Sequence, residues 1–508
     1  MPRAGSREQS RGRRSVRLAT LAALLLAAAA CSTGSDEPSS AEPAPDTPPA
    51  SADNTPEAGF PAGWTPARPE WGECARAAGP GMQCATLEVP LDWQAPDGAQ
   101  IELELARRPA SGDRIGSLLS NPGGPGGSGI EYLQWAPFSD AAAERFDLVS
   151  WDPRGVGEST PIECDDSVPA FEALDSSPDD EAERVALESA AATVAADCEA
   201  AEGEMLAHVH TADVARDLEA IRLALGGEPL NYLGFSYGTH IGQQYAELFG
   251  GNIRAMVLDG VVDPSQAFEE FLLGQTAAFD AVFSAQAAQC AAVGAGPCGV
   301  DDLAAAYDTL STRVEQSPVE ADGGSVGPSE LATAALYTGY QTDGWSSLGP
   351  ALGEALDGDA SELRRLAESY RDLADYGPYA AVVCTDSQRP TDHATYREFE
   401  ARAVDVSSRF GAAIANEMLP CATWGAEPQG EARALSAPDA APILVVGNTG
   451  DPATPIENAR AVAAALDSGQ LLEVDMDGHT AYGSNRCASA AIDDYLIDLV
   501  LPPAGQGC

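Results

Sequence analysis

Lysine is absent from this chain: all 28 permanently basic residues are arginine, set against 78 aspartates and glutamates. The formal net charge is −50, and because residues 1–30 carry six arginines and one glutamate, the remainder is about −55. Such a field excludes nucleic acid as a partner and points to a surface kept soluble by carboxylates, as in salt-tolerant proteins. Histidine is scarce, at five residues, none clustered with cysteine, and no C-x-x-C pair occurs, so no metal site is expected. No motif implies a cofactor. The uncharged run Leu18–Ala30 is too short to span a bilayer.

That run follows Arg3, Arg7, Arg11, Arg13, Arg14 and Arg17, and together they read as an export signal over residues 1–30. Cys31 directly after Ala28-Ala29-Ala30 resembles a bacterial lipoprotein cleavage site, with Ala28 the departure from its usual larger aliphatic residue. Lipidation of Cys31 would attach the protein to a membrane; simple secretion is the alternative. Residues 31–61, rich in Pro, Ser, Ala and acids, bury too little apolar surface to offset ordering and read as a disordered tether. Of eleven cysteines, ten remain once Cys31 is set aside, an even number suited to a disulfide framework outside the cell. Nearest-neighbour pairing joins Cys74–Cys84, Cys164–Cys198, Cys290–Cys298, Cys384–Cys421 and Cys487–Cys508, one of hundreds of connectivities.

The chemistry centres on Leu230 to Gly238. Leu230, Tyr232, Leu233 and Phe235 make a short buried strand, Gly234-Phe235-Ser236-Tyr237-Gly238 fits G-x-S-x-G, and Thr239 to Phe249 reads as a helix. A serine at a strained strand-to-helix turn is pushed clear of the sheet, and its backbone N–H groups lie near a helix N-terminus that favours negative charge. Upstream strands read at Cys84–Trp93, Ile101–Arg107, Ile115–Leu119 and Phe146–Trp151. The third opens into Asn121-Pro122-Gly123-Gly124-Pro125-Gly126-Gly127-Ser128-Gly129. Without a Gly-Lys-Ser/Thr ending or clear dinucleotide spacing, this loop suits an oxyanion site better than a phosphate cradle. Val214, Leu218, Ile221 and Leu225 form an apolar stripe at helical spacing, with Asp213, Arg216, Asp217 and Glu219 largely off it.

The Asn121–Gly129 loop, the segment Trp151 to Ser159 and the elbow at Ser236 resemble the α/β-hydrolase fold: a mostly parallel central sheet flanked by helices. More narrowly they resemble the secreted tripeptidyl aminopeptidases, relatives of the prolyl aminopeptidases, over about Trp64 to Cys508. Asn121 stands where the wider group has His. The resemblance implies core segments 62–264 and 439–508 and a mainly helical cap over 265–438. Within the cap, Asp386 occupies a Cys-x-Asp element of these relatives; it is either a ligand for a substrate ammonium or a structural carboxylate beside a disulfide.

Sheet pattern resumes at Pro442–Gly447, and Asp451 follows on a strand-end loop. Its Asp-Pro-x-Thr-Pro segment matches the family, which makes Asp451 the expected triad acid and Asp259, after the preceding strand, its competitor. Leu471–Met476 gives the last strand, and His479 behind it is the only histidine that follows both Ser236 and Asp451, so the order Ser, Asp, His has a single solution. His208, His210, His240 and His393 read as ordinary polar residues. The expected site is therefore Ser236, Asp451 and His479, with Tyr237 and Gly124 N–H groups for the oxyanion. Residue chemistry reaches a serine hydrolase of esters or amides. The resemblance carries it to an exopeptidase taking short peptides, tripeptides above all, from free N-termini; the signal implies export to the cell surface or beyond, and a monomer working without a cofactor is expected. An esterase or lipase using the same triad, and an inactive peptide-binding surface lipoprotein, are the rivals.

Overall fold

The computed structural model describes residues 59–508 apart from 75–78 and 80. The expected export signal, Cys31 and the expected tether as far as residue 58 lie outside the described residues. Ten strands run in chain order: β1 (Gln83–Pro90), β2 (Gln100–Arg108), β3 (Gly116–Asn121), β4 (Phe146–Trp151), β5 (Leu230–Phe235), β6 (Ile253–Asp259), β7 (Val319–Ala321), β8 (Gly324–Val326), β9 (Ile443–Gly450) and β10 (Gly469–Asp477). Eight of them form one sheet in the order β1-β2-β4-β3-β5-β6-β9-β10, while β7 and β8 make a separate hairpin. The first two pairings of the sheet are antiparallel and the remaining five parallel. All six residues of β5 are buried, as a parallel strand covered by helices on both faces requires. At the antiparallel edge the Ile101-Glu102-Leu103-Glu104 alternation leaves one face wet.

The helix Thr211–Ala224 buries the expected Val214, Leu218 and Ile221, but Asp217 and Glu219 are fully buried too. Ion pairing explains this departure from the stripe. Asp217 accepts hydrogen bonds from Arg154, at 2.6 and 2.7 Å, and from the Trp93 indole. Glu219 is held by Arg222, Tyr245 and Asn252.

Between β6 and β9 the chain leaves the sheet and builds a helical layer, with β7 and β8 as an unanticipated hairpin. Within it the helix Ser361–Arg371 does not run on into the next, Tyr376–Asp386. Pro378 has no N–H and its ring would clash with the carbonyl four residues back, so the helix must restart. A second segment joins the cover. The helix Glu181–Leu206, inserted between β4 and β5, pairs with this layer through Arg184–Glu400 and Glu188–Arg397, and Cys164–Cys198 ties it back to the loop after β4. The five disulfides join the nearest-neighbour pairs. Among the described residues no helix is long and apolar enough to cross a membrane.

Candidate active site

Strand β5 stops at Phe235, and the helix Tyr237–Phe249 starts two residues later. The one residue between them, Ser236, has φ 53° and ψ −126°, a conformation that costs an L-residue roughly 1–3 kcal/mol and persists only where the surroundings impose it. They do so here: the Ser236 N–H donates to the Asp259 carbonyl at 3.0 Å, and Thr239 holds the Ser236 carbonyl through its N–H and hydroxyl. Gly238 is required because a Cβ there would lie 2.6 Å from the Asn121 carbonyl oxygen. The serine is left at the carboxyl end of the parallel strands, facing a cavity of about 1500 Å³.

The glycine-rich loop after β3 closes over this turn. Asn121 Oδ1 accepts the Gly123 N–H at 2.9 Å, and Gly123, at φ 96°, passes so near the elbow that a Cβ would lie 2.9 Å from the Tyr237 nitrogen. The N–H groups of Gly124 and Tyr237 have no acceptor among the described residues, and both residues line the cavity.

Asp451 follows β9 and His479 follows β10. Nδ1 of His479 is 2.8 Å from Oδ2 and 3.0 Å from Oδ1 of Asp451. The Ala453 and Thr454 N–H groups and the Thr454 hydroxyl, all at 2.9 Å, take up the rest of that carboxylate. Nε2 of His479 is buried with no hydrogen-bond partner among the described residues. Burial opposes a charge on this imidazole, but the adjoining Asp451 carboxylate, aided by Asp259, more than offsets it and lifts the group above its ordinary 6.5. Asp259 itself accepts from the Ala481 and Tyr482 N–H groups, at 2.8–3.0 Å, and so shapes the loop that carries His479. Burial raises it to about 6. The helical layer also holds that loop: the His479 N–H donates to the Tyr340 carbonyl at 3.1 Å, and the Tyr340 ring meets the imidazole edge-on at 5.4 Å.

Ser236 and His479 line one cavity, with Asp451 behind the histidine. Asp386 lines it as well, but its oxygens are engaged with Thr211 and flanked by His210 at 3.6 Å and His240 at 3.9 Å. His393 lies elsewhere, beside Glu188, and His208 gives its carbonyl to Arg154. Sequence reasoning singled out neither Thr211 nor Glu417. Glu417 ends the helix Gly411–Glu417 with part of its side chain open to the cavity. The Tyr370 hydroxyl donates to Oε1 at 3.3 Å, while Oε2 has no partner among the described residues. Burial lifts this carboxyl to about 7, against the pull of the Tyr370 bond. One glutamate among so many acids carries no signal in the sequence; only the folded cap marks it.

A family model described as the alpha/beta hydrolase fold matches residues 116–485. The chain is 36% identical over 482 residues to serine protease Hip1 of Mycobacterium tuberculosis, covering 89% of this chain and 92% of that protein. It is 34% identical over 442 residues to a tripeptidyl aminopeptidase of Streptomyces coelicolor, covering 82% and 81%. To a Mycobacterium tuberculosis protein named carboxylesterase B it is 33% identical over 452 residues, covering 84% and 86%. Together with a mostly parallel sheet and a strained serine at its carboxyl edge, these matches show that the chain belongs to the alpha/beta hydrolase fold family, as a serine hydrolase.

Proposed function

We propose that this protein is an exported serine exopeptidase that releases short peptides, tripeptides above all, from free N-termini. His479 Nε2 takes the proton of Ser236, whose oxygen attacks the scissile carbonyl, while Asp451 fixes the imidazole tautomer and steadies its charged form. The N–H groups of Tyr237 and Gly124 receive the oxyanion. His479 then protonates the leaving amine, and water releases the acyl group. The observation that carries the reading is the His479–Asp451 bond, with the opposite ring nitrogen unpartnered among the described residues and His479 lining the cavity that Ser236 faces.

A free N-terminus is an ammonium below about pH 8 and calls for a carboxylate. Glu417 supplies one, with an open oxygen inside the cavity. The rings of Tyr340 and Tyr370 separate it from His479, with centroids 5.4 and 6.1 Å apart along that path. An extended chain spans at most about 3.6 Å per residue, so a scissile bond two or three residues from the N-terminus suits that spacing. Five disulfides support an oxidising compartment. Acylation of Cys31 remains part of the proposal, and so does a monomeric state.

The test compares a tripeptide anilide bearing a free N-terminus with its N-acetylated twin, and runs Ser236→Ala beside both. Cleavage of the free form alone, lost in the variant, is expected. The relative named carboxylesterase B favours a second reading, an esterase with the same triad; turnover of acyl esters with neither anilide cleaved would establish it instead.

A further inference from the structure

Tyr237 has two ends with separate roles. Its backbone N–H lies beside Ser236, while its phenol reaches 2.6 Å from the hydroxyl of Thr211 on the neighbouring helix. Thr211 in turn gives both its donors to Asp386: its N–H at 2.7 Å to Oδ1, and its hydroxyl to Oδ2. A threonine hydroxyl has one proton, and a carboxylate can only accept. Once that proton is given to Asp386, Thr211 can only accept from Tyr237, so the chain runs in one direction, Tyr237 to Thr211 to Asp386.

The members come from different layers. Tyr237 opens the helix behind Ser236, Thr211 opens the helix before β5, and Asp386 closes the cap helix Tyr376–Asp386, two residues after the Cys384–Cys421 disulfide. All three residues are largely or fully buried. His210 and His240 flank the carboxylate. A cap-borne charge is thus connected by two hydrogen bonds to the residue that follows the nucleophile.

Building on the assignment of Ser236 as nucleophile, we propose that Asp386 and Thr211 are positioning residues that hold Tyr237, and with it the oxyanion-binding N–H, in register with the seated cap. This relay gives Asp386 a task other than binding the substrate ammonium. Neither residue touches the reacting atoms; they act through Tyr237. Small misplacements at a reacting centre cost on the order of 10²-fold in rate.

The variants are Asp386→Asn, Thr211→Val, Thr211→Ser and Tyr237→Phe, each assayed on the free tripeptide anilide and on a small acyl ester too short to reach the cap. Asp386→Asn, Thr211→Val and Tyr237→Phe should lower kcat about tenfold or more on both substrates with KM within about twofold, and Thr211→Ser should restore most of the rate. Tyr237→Phe removes one oxygen and keeps the ring, so it stands in should a substitution at 386 prevent folding. Unchanged kcat in Tyr237→Phe, or a rise in KM confined to the free-amine peptide in Asp386→Asn, would overturn the inference; the second result would make Asp386 the ammonium ligand. Wild-type protein that a fluorophosphonate fails to label would instead remove the serine mechanism on which the inference stands.

Discussion

Gly123 and Ser236 are in such close apposition that a Cβ on the glycine would lie 2.8 Å from that of the serine and 2.6 Å from the Phe235 carbonyl oxygen. At φ 96° the backbone also disfavours any side chain. Gly123→Ala must therefore push the glycine loop away from the elbow and widen the gap between the two free N–H groups. Loss of one oxyanion donor typically costs on the order of 10²–10³ in rate. A kcat reduced on that scale is the expected result, beside a lowered melting temperature from the strained side chain; near-wild-type turnover of the folded variant would separate the loop from catalysis.

Asp451→Asn keeps the shape of the acid but frees the imidazole to take the wrong tautomer. The expected fall in kcat is on the order of 10⁴. The pH profile should move as well. With the carboxylate beside it, His479 loses its proton above 6.5, so wild-type activity on an acyl ester should rise through one inflection above that value. In Asp451→Asn burial acts without its main opponent, and the residual activity should inflect at lower pH. An unmoved inflection would assign the profile to another group.

As the proposed ammonium ligand, Glu417 should add a second ionisation for amine-bearing substrates alone. The free protein holds this carboxyl protonated below about 7, and an ammonium can be bound only once that proton leaves. For the free tripeptide anilide, kcat/KM should fall with two protons below neutrality; for an acyl ester it should fall with one. Glu417→Gln should raise KM for the peptide and remove the extra slope. A folded-state pKa raised from 4.5 to about 7 contributes stability that is present below 4.5 and lost as pH rises through 7. Glu417→Gln should therefore melt higher than wild type at pH 8 and level with it at pH 4, as scanning calorimetry would read.

Arg154 and Asp217 form a fully buried ion pair, with 0% of either side chain exposed. Removing one partner strands the other charge, which costs about 3–5 kcal/mol. Asp217→Ala should lose that much in urea unfolding, whereas a shift under 1 kcal/mol would mean water reaches the guanidinium. Neither residue lines the cavity, so activity of the folded variant should be close to normal.

Residues whose local pattern dictates their place could be read directly. The mostly apolar run of β5 calls for a buried strand, and glycines flank the serine at G-x-S-x-G spacing, so Ser236 stood out before any contact was known. His479 was singled out by order along the chain. Residues defined by distant partners could not be. Glu219 reads as a helix-surface acid until Arg222, Tyr245 and Asn252 surround it. Asp259, weighed as a catalytic acid, instead grips two backbone N–H groups beyond the histidine. The helix Glu181–Leu206 gave no sign that it joins the cover, because its attachment depends on Glu400 and Arg397, about two hundred residues away.

That attachment bears on what can enter. The covering layer is secured on several sides, by Arg184–Glu400 and Glu188–Arg397 to a helix stapled through Cys164–Cys198, by Gln275 to the Ala453 carbonyl, and by Tyr340 to the histidine loop. A roof pinned in this way is a sieve rather than a door. Under the proposed exopeptidase reading it would admit a loose chain end and turn away the folded body behind it, so such an enzyme would finish the work of others, shortening fragments that an endopeptidase has already cut free.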